Sequence, residues 1–190
     1  MTISTKLQFF DFQTEKPLDT NGIEDVKNPD QLLMNSLVRF YQKSDNLERI
    51  IPIINRESKV SLRVIEWFIT TYARDRCVMC PMYSNNTIIG YTQVYINYKS
   101  TLKSFRGRHF GIFKRSDKIL LDWGSDSKLI TTIGQLNFFK WAIETQILQF
   151  IEKNYTFIWN KLKESKKDKL CTKITKTEDN DNIELTIEWN

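Results

Sequence analysis

The chain has 190 residues, of which 41% are hydrophobic and 13% aromatic, so it can bury a ring-rich core and is not a disordered polymer. Its formal net charge is +5, and no run of eighteen apolar residues is present to cross a membrane. Three cysteines and an opening Met1–Lys6 without a hydrophobic signal core exclude a secreted disulfide framework and point to a reducing, intracellular setting.

The first elements follow from caps and periodicity. Residues 1–27 read as an extended leader in which Leu7–Phe12 forms one short strand, and 28–190 as a single domain. Asn28 as N-cap and Pro29 at the first helical position start a helix to about Lys43, with Leu33, Leu37, Phe40 and Tyr41 on one face. Asp45 and Glu48 have capping-box spacing for a short helix that Pro52 stops near Ile51. Ser58 or Ser61 opens the next helix, Ser61–Arg76, with Leu62, Ile65, Phe68, Ile69 and Tyr72 as its buried stripe. Residues 77–91 are either irregular or a short hairpin around Asn85-Asn86, with Thr87–Tyr91 apolar enough for a strand, and Thr92–Phe105 is a helix carrying Val94, Tyr95, Tyr98 and Leu102.

The second half reads similarly. Lys118–Trp123 is a strand closed by Gly124, and Thr131 or Thr132 caps a long central helix from Gly134 to about Lys163. Its apolar residues, among them Leu136, Phe139, Ile143, Ile147 and Phe150, repeat at three and four. Leu170–Thr177 and Ile183–Trp189 alternate at period two across an acidic turn, which predicts a C-terminal β-hairpin. The fold class is therefore α+β, mostly helical. Trp67, Trp123, Trp141 and Trp159 belong to the core on this reading.

Charge is unevenly spread. Met1–Asp30 holds three lysines against six acids, Lys161–Lys176 seven lysines against two acids, and Glu178–Asn190 five acids and no base. A basic face with acidic ends results. Only two alanines occur beside abundant Lys, Ile and Asn, a bias that AT-rich coding produces, so arginines weigh more than lysines as signals.

The densest signal lies at 99–118. Lys99, Lys103, Arg106, Arg108, Lys114, Arg115 and Lys118 face one acid, Asp117, and alternate with Tyr98, Phe105, His109, Phe110 and Phe113. Cations neutralise phosphates and release counterions, while flat rings such as Phe110 or Phe113 stack on bases. Arg106-Gly107-Arg108 adds a flexible point for close approach to a polyanion. A surface loop whose phenylalanines point inward is the competing reading.

Cys77 and Cys80 have the spacing of a zinc knuckle, and His109 with Cys171 would complete a tetrahedral set without a spare ligand. A lone pair of this kind is a weak signal, since unliganded buried cysteines are common. One histidine, no glycine-flanked nucleophile and no phosphate-cradling loop argue against an enzyme, and nothing in the sequence asks for a cofactor.

Three stretches carry a resemblance: Ile51–Asn55 with Ser61–Phe68, Asn97–Ser104 through Phe113–Arg115, and Thr131–Ile143. Together they resemble an uncharacterised family encoded by large cytoplasmic DNA viruses of eukaryotes, the giant viruses. The resemblance implies a viral setting, host cytoplasm or virion, and assigns no activity. The expected function is non-enzymatic binding of DNA or RNA in genome packaging or expression. The alternative is a virion or assembly protein that docks a partner, or another copy of itself, through the basic face or the Ile183–Trp189 strand.

Overall fold

The computed structural model describes residues 8–11, 13–14, 16–18, 29–42, 45–105, 107, 109–113, 118–122 and 128–178, with side chains to 167. Strand β1 (Gln8–Asp11) precedes helices α1 (Pro29–Gln42), α2 (Asn46–Ile54) and α3 (Leu62–Trp67). A π-helical turn, Phe68–Tyr72, links α3 to α4 (Ala73–Arg76). Strands β2 (Met79–Ser84) and β3 (Thr87–Gln93) lead into α5 (Val94–Ser104). Then come β4 (Lys118–Asp122), β5 (Lys128–Thr132), α6 (Ile133–Glu144), α7 (Ile147–Lys153) and α8 (Tyr155–Glu178). This is the expected α+β, mainly helical class.

Two antiparallel sheets are present among the described residues. The first has the order β1-β4-β5, and its register puts Phe9 opposite Leu121 and Leu121 opposite Leu129. All three side chains are buried, so this row faces the core, while Lys118 and Lys128 stay exposed. The second is the β2–β3 hairpin, whose two loop residues, Asn85 and Asn86, both have positive φ (48° and 63°). Asparagine tolerates that region, and a loop with two such residues matches the twist of the flanking strands.

The buried residues form one continuous cluster. Ile65, Phe68 and Ile69 belong to the same cluster as Leu136, Phe139 and Ile147, all of them buried, and the Phe68 ring lies 5.9 Å from that of Phe150. Ile143 and Phe150 pack against the same cluster from its margin, as do Trp67 and Trp159. Trp141 is buried, and Trp123 lies outside the described residues. The Tyr41 hydroxyl donates to the Leu136 carbonyl at 2.7 Å, and burial pushes its pKa well above the usual tyrosine value.

Four expectations need correction. The long helix from Gly134 to Lys163 is three helices, broken at Thr145–Gln146 and again at Asn154. Gln146 sits in the left-handed region (φ 59°), held there by two hydrogen bonds from its side chain to the Tyr83 backbone. Residues 170–177 belong to α8 rather than to a hairpin strand, and Ile183–Trp189 lies outside the described residues. Leu170 and Ile174 are four apart, a spacing that fits a helix face as well as alternate strand positions. Pro52 lies inside α2, which continues to Ile54, and its carbonyl accepts from the Glu57 and Ser58 amides in the turn that follows. Asp45 precedes that helix without a side-chain cap.

Ser61 and Thr132 act as the sequence suggests, their hydroxyls accepting from the Val64 and Gln135 amides. Phe139 is the clearest core test, being fully buried between α6 and its neighbours. Replacing Phe139 with alanine should lower stability by about 3–5 kcal/mol, measured by denaturant unfolding. An unchanged midpoint would place the ring at the surface.

Candidate nucleic-acid interface

Helix α6 carries two polar side chains where only apolar ones would be expected. Gln135 and Asn137 are buried, at 8% and 4% exposure, so each must find partners or pay a desolvation cost. Gln135 accepts from the Thr131 hydroxyl at 2.8 Å and donates to the Ile112 carbonyl at 3.4 Å. Asn137 donates to the His109 carbonyl at 2.8 Å. Between them, the Gly111 amide donates to the Gly134 carbonyl at 3.1 Å, and Gly111 has φ 143°. Two buried glycines allow this close backbone approach, and only glycine adopts that φ readily. The segment 109–112 is thereby fastened to α6 at three points.

That fastening decides which rings point where. Phe110 is fully buried among Tyr98, Phe105, Phe138 and Trp141, with ring centroids 5.5–6.0 Å away. Phe110 therefore has no face to offer a base, and its role as a stacking residue is withdrawn. Ile112 is buried as well, whereas Phe113, next along, is 54% exposed.

Helix α5 is anchored from the same side, since the Trp141 indole donates to Asn97 Oδ1 at 2.6 Å. Its outer face lines an open groove of about 690 Å³ formed by Tyr95, Ile96, Lys99, Ser100, Leu102, Lys103 and Gly107. Tyr95, Lys99 and Lys103 are four residues apart in turn and so form one stripe. Gly107 (φ 65°) ends α5, its amide donating to the Leu102 carbonyl at 2.9 Å. Its positive φ serves this helix stop. Arg74 on α4 lies within electrostatic reach of Tyr95, and Asp75 pairs with it at 2.8 Å.

Of the residues singled out by sequence, Lys99 and Lys103 share the groove, Phe113 is displayed on the fastened segment, and Lys118 is exposed at the start of β4. Arg106, Arg108, Lys114 and Arg115 lie outside the described residues. Tyr95 and Ile96 were missed, although their spacing from Lys99 and Ser100 carries the signal. Cys77, Cys80 and His109 do not converge, because no three metal-ligating side chains cluster among the described residues. Cys80 is buried, and burial pushes its thiol up to about 11. His109 Nε2 is taken by Asp30 Oδ1 at 3.0 Å, and the side chain of Cys171 is outside the described residues. The zinc reading is withdrawn.

Residues 20–188 match the sequence family described as a family of unknown function, DUF7197. Over 123 residues the chain is 31% identical to "Uncharacterized protein L507" of Acanthamoeba polyphaga mimivirus, covering 62% of this chain and 47% of that protein. The chain thus spans about half the length of the curated relative it matches. No solved structure matches.

The fastening of 109–112 predicts a measurable consequence. Asn137→Ala leaves the His109 carbonyl without its donor and should cost about 1–3 kcal/mol. Amide exchange at Gly111 should accelerate in that variant while exchange in β4 keeps its rate relative to global unfolding. Equal acceleration at both sites would show that Asn137 serves general packing instead.

Proposed function

The chain belongs to the DUF7197 family, and on that premise we propose that it is a non-enzymatic nucleic-acid-binding protein acting in the genome packaging or expression of a giant virus, in the host cytoplasm or the virion. The observation that carries this reading is the α5 groove, where two lysines share a face with Tyr95 and Ile96. Ile96 is 57% exposed, an apolar side chain beside cations with nothing apolar to cover it among the described residues.

Such a surface suits a nucleic acid on two counts. Lys99 and Lys103 neutralise successive phosphates, and the apolar wall accepts base or sugar faces. Gly107 lies at the end of the groove with Arg106 and Arg108 on either side in the chain, so the arginines enter the sequence where the lysine stripe stops. The fastened segment then presents Phe113 just before Lys114 and Arg115. A preformed loop loses little conformational freedom on binding, which is the advantage of burying Gln135 and Asn137.

Affinity for single- and double-stranded DNA and RNA, measured by fluorescence anisotropy across a salt series, tests the proposal. Binding should weaken as salt rises. Lys99→Gln combined with Lys103→Gln should reduce the slope of log affinity against log salt by about 2. Affinity independent of salt, or a slope untouched by the double substitution, would remove the groove from the mechanism.

A further inference from the structure

The two edges of the β2–β3 hairpin differ. The Val94 amide donates to the Val78 carbonyl at 3.1 Å, which marks Val78–Val94 as a hydrogen-bonded pair. Such pairs recur at every second residue of an antiparallel ladder, so Cys80–Thr92 and Met82–Gly90 are bonded pairs and Pro81–Tyr91 is not. Pro81, which has no amide hydrogen, therefore costs the ladder nothing. On the outer side of β2, the Gln146 side chain takes both the Tyr83 amide and the Tyr83 carbonyl, at 2.9 and 2.7 Å. That edge is shut. On the outer side of β3, the Tyr91 amide and carbonyl point away from β2, and no described residue bonds to them.

Strand β3 also lacks most of the devices that keep sheet edges apart. Exposed edges usually carry a charge, a proline or a bulge. No charged residue occurs from Cys77 to Tyr98, in a chain that is 27% charged, and β3 has no proline. Its bulge lies at Ile89 and leaves Gly90–Gln93 regular. Ile89 and Tyr91, at 64% and 61%, are the most exposed large apolar side chains among the described residues.

Gly90 stands out for a different reason. A glycine inside a strand weakens it, and is found where the backbone angle or a close neighbour requires it. The φ of Gly90 is not positive, and a Cβ there would meet nothing within 4 Å. The residue that the bulge inserts is Ile89 rather than Gly90. Its own fold therefore makes no use of the missing side chain among the described residues.

A second β3 meets these conditions together. Turned about a two-fold axis at Tyr91, the strand runs antiparallel to its copy, with Tyr91 opposite Tyr91 and Gly90 opposite Thr92. Tyr91–Tyr91 is then a bonded pair, and on either side the Gln93 amide reaches the Ile89 carbonyl. The Gln93 carbonyl is left to α5, of which Gln93 is the N-cap. Gly90 and Thr92 form the closer, non-bonded type of pair. Thr92 is already buried, so a residue without a side chain opposite it leaves room for the approach. The absence of charge matters as well, since a two-fold axis sets each charge near its own copy.

From this geometry we infer that β3 of a second copy pairs with β3, giving a four-stranded antiparallel sheet in the order β2-β3-β3-β2 and a two-fold dimer. Ile89 and Tyr91 of the two copies gather into one apolar cluster across the axis. The wider sheet also gives the hairpin the support that two strands lack. So short a pairing buries less than a standard interface, and the dimer is accordingly concentration-dependent.

Analytical ultracentrifugation on the full chain, freed of nucleic acid, over a concentration series reaching the millimolar range reads the result. The monomer of 22.6 kDa should give way to a species of twice that mass as concentration rises. Tyr91→Pro removes the outward amide and spares the bonds to β2, so it should stay folded by circular dichroism and monomeric throughout. Disulfide trapping reads the register without that variant. With Cys77 and Cys171 replaced by serine, Tyr91→Cys should cross-link two copies under mild oxidation, because a bonded pair sets its Cα atoms about 5.5 Å apart. Gln93→Cys, displaced about 13 Å along the strand from its own copy, should not. A parent chain that stays monomeric at every concentration overturns the inference, as does a dimer of the Tyr91→Pro variant, or cross-linking as ready in Gln93→Cys as in Tyr91→Cys.

Discussion

Burial of helix α6 imposes the strictest condition on this fold. From Gly134 to Phe139, and again at Trp141 and Ala142, every side of the helix is covered, and two of the covered residues are amides. A buried amide left unpaired costs more than a hydrogen bond returns, so Gln135 and Asn137 tolerate few arrangements of their surroundings. The arrangement present uses the carbonyls of His109 and Ile112, which fastens residues 109–112 to α6. Trp141 extends the same logic to α5 through Asn97. One helix thus sets the position of the cationic stripe, the orientation of Phe110 and Phe113, and the end of β5 that feeds it.

The surface divides into two regions of different chemistry as a result. Around α5 the exposed residues combine lysines with an apolar wall. Along β2 and β3 they are apolar without charge, with one edge closed by Gln146. Gln146 closes that edge and breaks the α6–α7 helix with the same residue. The chain is continuous from β3 into α5, so the two surfaces are joined without being alternatives.

Much of this organisation was legible in the sequence because it is local. Asn85-Asn86 marks the turn of the hairpin that is one of two readings of 77–91, Ser58 or Ser61 and Thr131 or Thr132 bracket the helix starts, and the stripes of Ile65, Phe68, Leu136 and Phe139 announce the core. What failed depends on distant contacts. The break at Gln146 rests on Tyr83, 63 residues away, and no local pattern contains it. Phe110 and Phe113 look alike in sequence, and only the fastening by Asn137 and Gln135 sends one inward and leaves the other out. Residues 170–177 misled because Leu170 and Ile174 satisfy both periods. Strand β5 was visible and unread: Leu129 and Thr131 are buried between exposed or partly exposed neighbours, the alternation of a half-buried strand.

The central claim is that the α5 groove and the fastened segment together receive nucleic acid. Ultraviolet cross-linking of a bound single strand, with adducts mapped by mass spectrometry, addresses it most directly. Adducts should concentrate at Tyr95, the half-buried ring of the lysine stripe, and at the exposed ring of Phe113. Adducts confined to α8 or to the β2–β3 hairpin, or no adduct with any strand, would contradict the account.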